Sequence, residues 1–67
     1  MKANLLRAEV AASGMTLQEL AEKAKITRSA FSAKINGHRS FDVDEIIRIC
    51  DVLKIEDNQR KAEIFLG

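Results

Sequence analysis

The residues with chemistry to offer gather between Lys23 and Ser40, where Lys23, Lys25, Arg28, Lys34 and Arg39 occur without a single carboxylate. Ammonium and guanidinium groups collected in this way bind polyanions, and an arginine fork can also take both acceptors on one guanine edge. Other chemistry lacks material. Cys50 has no cysteine partner, which excludes an intramolecular disulfide or a cysteine-based metal site. Its neighbours Ile46, Ile47, Ile49 and Leu53 mark it as a reduced core thiol. His38 is the only histidine, with no second ligand or placed nucleophile beside it for a metal site or a triad. No enzymatic activity, cofactor, metal or small-molecule substrate is expected.

The net charge of +1 conceals a division by sign. Residues 1–40 carry seven Lys/Arg against Glu9, Glu19 and Glu22, whereas residues 41–67 carry four Lys/Arg against seven Asp/Glu. Most charge runs are merely solvated faces. Separation of sign along one small chain points instead to a polyanion partner for the basic half.

The elements that must position these cations are helical. The chain has no proline, three glycines and 46% hydrophobic residues, and no segment alternates long enough for a strand. Sixty-seven residues allow one domain, residues 1–67, with an aliphatic core. No apolar run reaches membrane length and no signal pattern opens the chain, so a cytoplasmic protein without membrane contact is expected.

Helix starts share one grammar. Thr16 with Glu19 and Asp42 with Glu45 form capping boxes, with Met15–Leu20 and Phe41–Ile46 as staples. Thr27 and the pair Ile26–Phe31 repeat the cap and staple but omit the acidic third position, as suits a helix end facing phosphates. The predicted helices run from Ala3 to Ala12, Leu17 to about Ala24, Arg28 to Asn36 and Val43 to Leu53, with a fifth from near Asp57 or Asn58. Val43, Ile46, Ile47, Cys50 and Leu53 are expected on the inner face of the fourth. Only Lys25-Ile26-Thr27 separates the second helix from the third, a turn tight enough for a helix-turn-helix. Phe31 and Ile35 mark the third helix's buried face. Small or polar residues opposite, Ser29, Ser32, Ala33 and Asn36, suit entry into a major groove about 12 Å wide.

The stretch GMTLQELAEKAKITRSAFSAKINGHRSFDVDEIIRICDVLKI, Gly14 to Ile55, resembles the lambda-repressor and Cro-like helix-turn-helix family of phage and bacterial regulators. Its Thr…Glu-Leu-Ala, Thr-Arg-Ser and Asn-Gly elements are together specific, and the KAEIFLG ending is more loosely similar to small Cro-like proteins of Gram-positive phages. The resemblance implies an all-α, compact five-helix domain whose third helix reads double-stranded DNA. Three departures stand out. Leu17 replaces a frequent Gln, Lys25 replaces a turn Gly, and Val10 with Ile35 replaces an Arg–Glu pair.

On this reading Arg28, Ser29, Ser32 and Ala33 are the base-contacting set, Arg28 foremost because the first turn of this helix reaches base edges. Gln18, Lys25, Thr27, Lys34, Asn36, His38, Arg39 and Ser40 are the phosphate-contacting set, although Asn36 before Gly37 is also a good helix terminator. Ile64, Phe65 and Leu66 are the candidate interface of a homodimer on DNA, with closure of the monomer core as the competing role for Ile64 and Phe65. The expected function is a Cro-like repressor occupying an operator on the bacterial nucleoid. A protein-binding modulator or antirepressor on the same fold and an excisionase-like architectural DNA binder are the alternatives.

Overall fold

The computed structural model describes residues 1–66. Five helices follow one another, α1 (Ala3–Ala12), α2 (Leu17–Lys23), α3 (Arg28–Ile35), α4 (Val43–Leu53) and α5 (Asn58–Phe65), with no strand among the described residues. The fold is all-α, and α2 and α3 each stop one residue short of the expected end.

One apolar cluster holds the helices. Leu6, Leu20, Ile49 and Ile64, from α1, α2, α4 and α5, are fully buried, and Phe31 and Ile35 bring α3 onto the same core. Phe41 lies between Phe31 and Phe65 at centroid distances of 5.7 and 6.2 Å, in tilted and edge-on geometry. Such pairs add about 0.5–1.5 kcal/mol each beyond the area they bury. Cys50 is buried, and loss of water pushes its thiol pKa up against the opposing pull of Lys61, so the thiol is held protonated.

The capping grammar is realised in atoms. The Thr16 hydroxyl accepts the Glu19 N–H and the Glu19 carboxylate accepts the Thr16 N–H, both at 3.1 Å. Asp42 and Glu45 repeat the reciprocal pair at α4, and Thr27 caps α3 by accepting the Ala30 N–H at 3.2 Å. Helix ends share a device too. Gly14, Lys25, Gly37 and Lys54 adopt positive φ, and after each the next N–H turns back onto a carbonyl five residues earlier. The bonds run Met15 to Val10, Ile26 to Ala21, His38 to Ala33 and Ile55 to Cys50, at 2.9–3.2 Å. This is the Schellman arrangement, built twice on glycine and twice on lysine.

The expected inner face of α4 needs correcting. Ile49, Cys50 and Leu53 are buried and Ile46 is half-buried, but Val43 and Ile47 are 73% and 61% exposed. The helix is turned so that Glu45, at 7% exposure, stands in line with Ile49 and Leu53 on the inward stripe. Val43 and Ile47 are thereby carried round to the outside, because residues four apart share a face.

The two left-handed lysines yield a paired prediction. A side chain in that conformation costs about 1–2 kcal/mol, partly offset by the roughly 0.5–1 kcal/mol of entropy a glycine loses on folding. Lys25→Gly and Lys54→Gly should therefore each stabilise the fold by about 0.5–1 kcal/mol in urea unfolding.

Candidate nucleic-acid interface

The α3 helix is amphipathic in an unusual way. Its inner face is Phe31 and Ile35, with Ala30 half-buried at the edge, and its outer face is Arg28, Ser29, Ser32 and the following Asn36, all exposed. No acid stands in its first turn, so the free N–H groups and positive dipole end there meet no competing carboxylate of the helix itself. Thr27 is committed to capping through its hydroxyl. Any contact it makes with an anion must use what remains of that oxygen or its backbone.

Four of the expected contact residues, Gln18, Arg28, Ser32 and Asn36, line one shallow hollow between α1, α2 and α3. Arg7 joins them from α1, with its Nη2 3.5 Å from the Asn36 Oδ1. Asn36 in turn points its Nδ2 at the Ser32 Oγ, 3.4 Å away. Sequence reading missed Arg7 because the position of α1 over the end of α3 is a tertiary fact with no local signature. Asn36, Arg39 and Ser40 line a second hollow with Gly37, Phe41 and Met1. Lys25, Thr27, Ser29 and His38 are exposed individually, and Ala33 is half-buried, its carbonyl accepting the N–H groups of His38 and Arg39.

Lys34 is a correction. It is 6% exposed, and its Nζ donates to both carboxylate oxygens of Glu45 at 2.6 and 2.5 Å. Lys34 lines the hollow that holds Arg39 and Ser40, but its ammonium is turned onto Glu45 and not outward. Its charge, counted from sequence as part of the basic face, is cancelled inside the protein. Lys25, Arg28 and Arg39 form no ion pair among the described residues, so their charges stay available. Burial alone would push the Glu45 carboxyl up. The Lys34 hydrogen bond, the Asp42 backbone N–H and the charges of Lys34 and Arg48 outweigh burial and hold it below its ordinary 4.5.

A sequence model of the helix-turn-helix domain family matches residues 3–62. The chain belongs to that family. No curated protein and no solved structure matches it. Helix-turn-helix domains serve DNA-binding regulators, with the second helix of the motif presented to the major groove. In this helix-turn-helix domain the motif is α2 and α3, and the match spans all the residues that line the two hollows except Met1 and Phe65.

The tail divides between its two expected roles. Ile64 is fully buried and Phe65 is 9% exposed, whereas Leu66 is 82% exposed. Ile64 also accepts the Lys2 N–H at its carbonyl, 2.7 Å away, and Arg60 reaches Glu9 of α1 at 2.7 Å. Ile64 and Phe65 thus close the monomer core, and only Leu66 remains on the outside.

The depressed Glu45 pKa links folding to pH with a definite sign. Its folded value lies below its unfolded one, so its stabilisation is complete above about pH 4.5 and is lost as pH falls through the lower folded value. Urea unfolding of the wild type across pH 2–6 should show that loss. The double variant Lys34→Met/Glu45→Gln lacks the titrating group, and its stability should fall less steeply over the same acid range.

Proposed function

We propose that this helix-turn-helix domain is a sequence-specific transcriptional regulator of the Cro-like repressor kind, acting in the bacterial cytoplasm by occupying an operator. One observation carries the reading. The outer face of α3 offers a guanidinium and two hydroxyls, and the cations around it, Arg7 and Arg39, belong to a surface where neither α3 nor its following loop to Ser40 holds a carboxylate. Arg28 supplies direct readout of a guanine. Ser29, Ser32 and the Ala33 methyl read beside it. Gln18, Lys25, Thr27, Asn36, His38, Arg39 and Ser40, now with Arg7, grip the backbone.

A duplex enriched from a random-sequence pool by the wild-type protein, compared with an unrelated duplex at two salt concentrations, tests the reading. With about five phosphates neutralised, log K should fall with log salt at a slope near −4 to −5. Arg28→Ala should cost about 1–3 kcal/mol on the enriched duplex and relax preference at one base pair. Arg39→Ala should weaken both duplexes alike and reduce the slope by about one. Failure to enrich any duplex at low salt would move the assignment to the protein-binding modulator.

Operator-length recognition calls for two copies, since one short helix reads too few base pairs and half-sites lie about 34 Å apart. The surface that suits a second copy is the groove where exposed Val43, Ile47 and Leu66 meet Ile46, Ala62 and Phe65. It lies in the acidic half of the chain, which leaves the basic half for DNA. Ile47→Ser/Leu66→Ser should leave unfolding almost unchanged, because both side chains are already solvated. Binding to the enriched duplex should become non-cooperative in titrations followed by gel shift.

A further inference from the structure

Lys34 is the one cation of the recognition helix that faces inward, and its partner is unusually placed. Glu45 belongs to the opening turn of α4, where its Oε1 also accepts the Asp42 N–H at 3.0 Å while its own N–H donates to the Asp42 Oδ1 at 2.8 Å. One carboxylate therefore joins the last turn of α3 to the first turn of α4. Between them runs the loop of residues 36–42, which exposes His38, Arg39 and Ser40. The front of that loop is tied to α3, with Gly37 donating to the Lys34 carbonyl and His38 and Arg39 to that of Ala33. Its rear is tied by Phe41, set between Phe31 and Phe65, and by the Asp42–Glu45 capping box.

We infer that the buried Lys34–Glu45 ion pair is a positioning device that holds the recognition helix and the cationic loop behind it in one register for DNA, making Lys34 and Glu45 positioning residues. This rests on the DNA-binding reading. Apolar side chains of similar volume would hold the two helices together as well or better, because a buried ion pair gives up hydration that its attraction barely restores. What apolar contact lacks is direction. An ammonium shared by both oxygens of a carboxylate, itself held at the Asp42 N–H, fixes rotation and axial position together. Register of this kind is the best-attested use of a buried ionic group.

The consequence separates reading from gripping. Phosphate contacts are long-range and tolerate small misplacement, whereas an arginine fork on a guanine requires alignment of two hydrogen bonds. Loosening the pair should thus damage discrimination and spare non-specific affinity. A phosphate-contacting lysine would do the reverse.

The test uses Lys34→Met/Glu45→Gln, which preserves net charge and keeps an acceptor for the Asp42 N–H. Glu45→Asp is the second variant, retaining both charges but shortening the reach by one methylene, should the first not fold. The probes are the duplex enriched by the wild type and an unrelated duplex of equal length. Expected are a retained cooperative melt, an unchanged salt slope on the unrelated duplex, and a loss of about tenfold or more in preference for the enriched one. Amide exchange at Gly37 to Ser40 should quicken while α1 and α2 stay protected. A salt slope lower by about one in the double variant, which alone removes Lys34 without leaving Glu45 unpaired, would make Lys34 a phosphate contact and overturn the inference. Preserved preference, or equal losses on both duplexes, would overturn it as well. If the wild type enriches no duplex, the DNA reading fails separately, and unchanged exchange at Gly37 to Ser40 then rejects the positioning role on its own.

Discussion

None of the five helices is long enough to stand alone. The longest, α4, has eleven residues and α2 has seven, below the roughly 12–15 at which isolated helices become marginal in water. Each exists because it is stopped cleanly and pressed on a common core. The four largest fully buried side chains come one from each of α1, α2, α4 and α5, so none of these helices can leave without opening the core that the other three share. Truncation of any one, Leu20→Ala for instance, removes roughly 2–5 kcal/mol, comparable to the whole margin of a domain this small. The turns follow from the same constraint. Connections of a few residues bring amphipathic faces inward only if the chain reverses sharply, and the left-handed residues at Gly14, Lys25, Gly37 and Lys54 do that.

What the sequence made legible was whatever is local. Caps at Thr16, Thr27 and Asp42 are read from residues three apart, and the structure forms each of them. Gly14 and Gly37 announce their turns. Lys54 does not, since lysine favours no left-handed conformation, and only its position between a finished helix and buried Ile55 reveals the need. The errors share one cause. Periodicity places Val43 and Ile47 beside Ile46 on a broad apolar arc, and it cannot say which part of the arc meets neighbours. Glu45 decides that by bonding Lys34 across the loop, a pairing eleven residues apart in sequence with no local mark. Arg7 is invisible for the same reason.

The basic face is thus smaller than composition suggests. Of the five cations between Lys23 and Ser40, one is spent inside the protein, and α1 contributes another through Arg7. The acidic half reaches into the basic half through Glu45. Charge segregation along the chain is therefore a guide to surfaces only after buried pairs are subtracted.

That subtraction also explains why a lysine is tolerated facing the core in the last turn of the recognition helix. Removing only one partner of an enclosed pair leaves a charge without compensation, at a cost of about 3–5 kcal/mol, so the two positions must change together. Val10 and Ile35, both buried in the common core, show that α1 and α3 meet that core elsewhere with apolar side chains. The ionic contact sits where α3 hands over to the loop carrying Arg39. At that junction packing alone would leave the helix free to turn, and a turn of the helix would move Arg28 and Ser32 relative to Arg39. An ion pair with two oxygens and a capping bond behind it resists that rotation. Its placement between the residues proposed to read bases and those proposed to grip the backbone follows from geometry more than from stability.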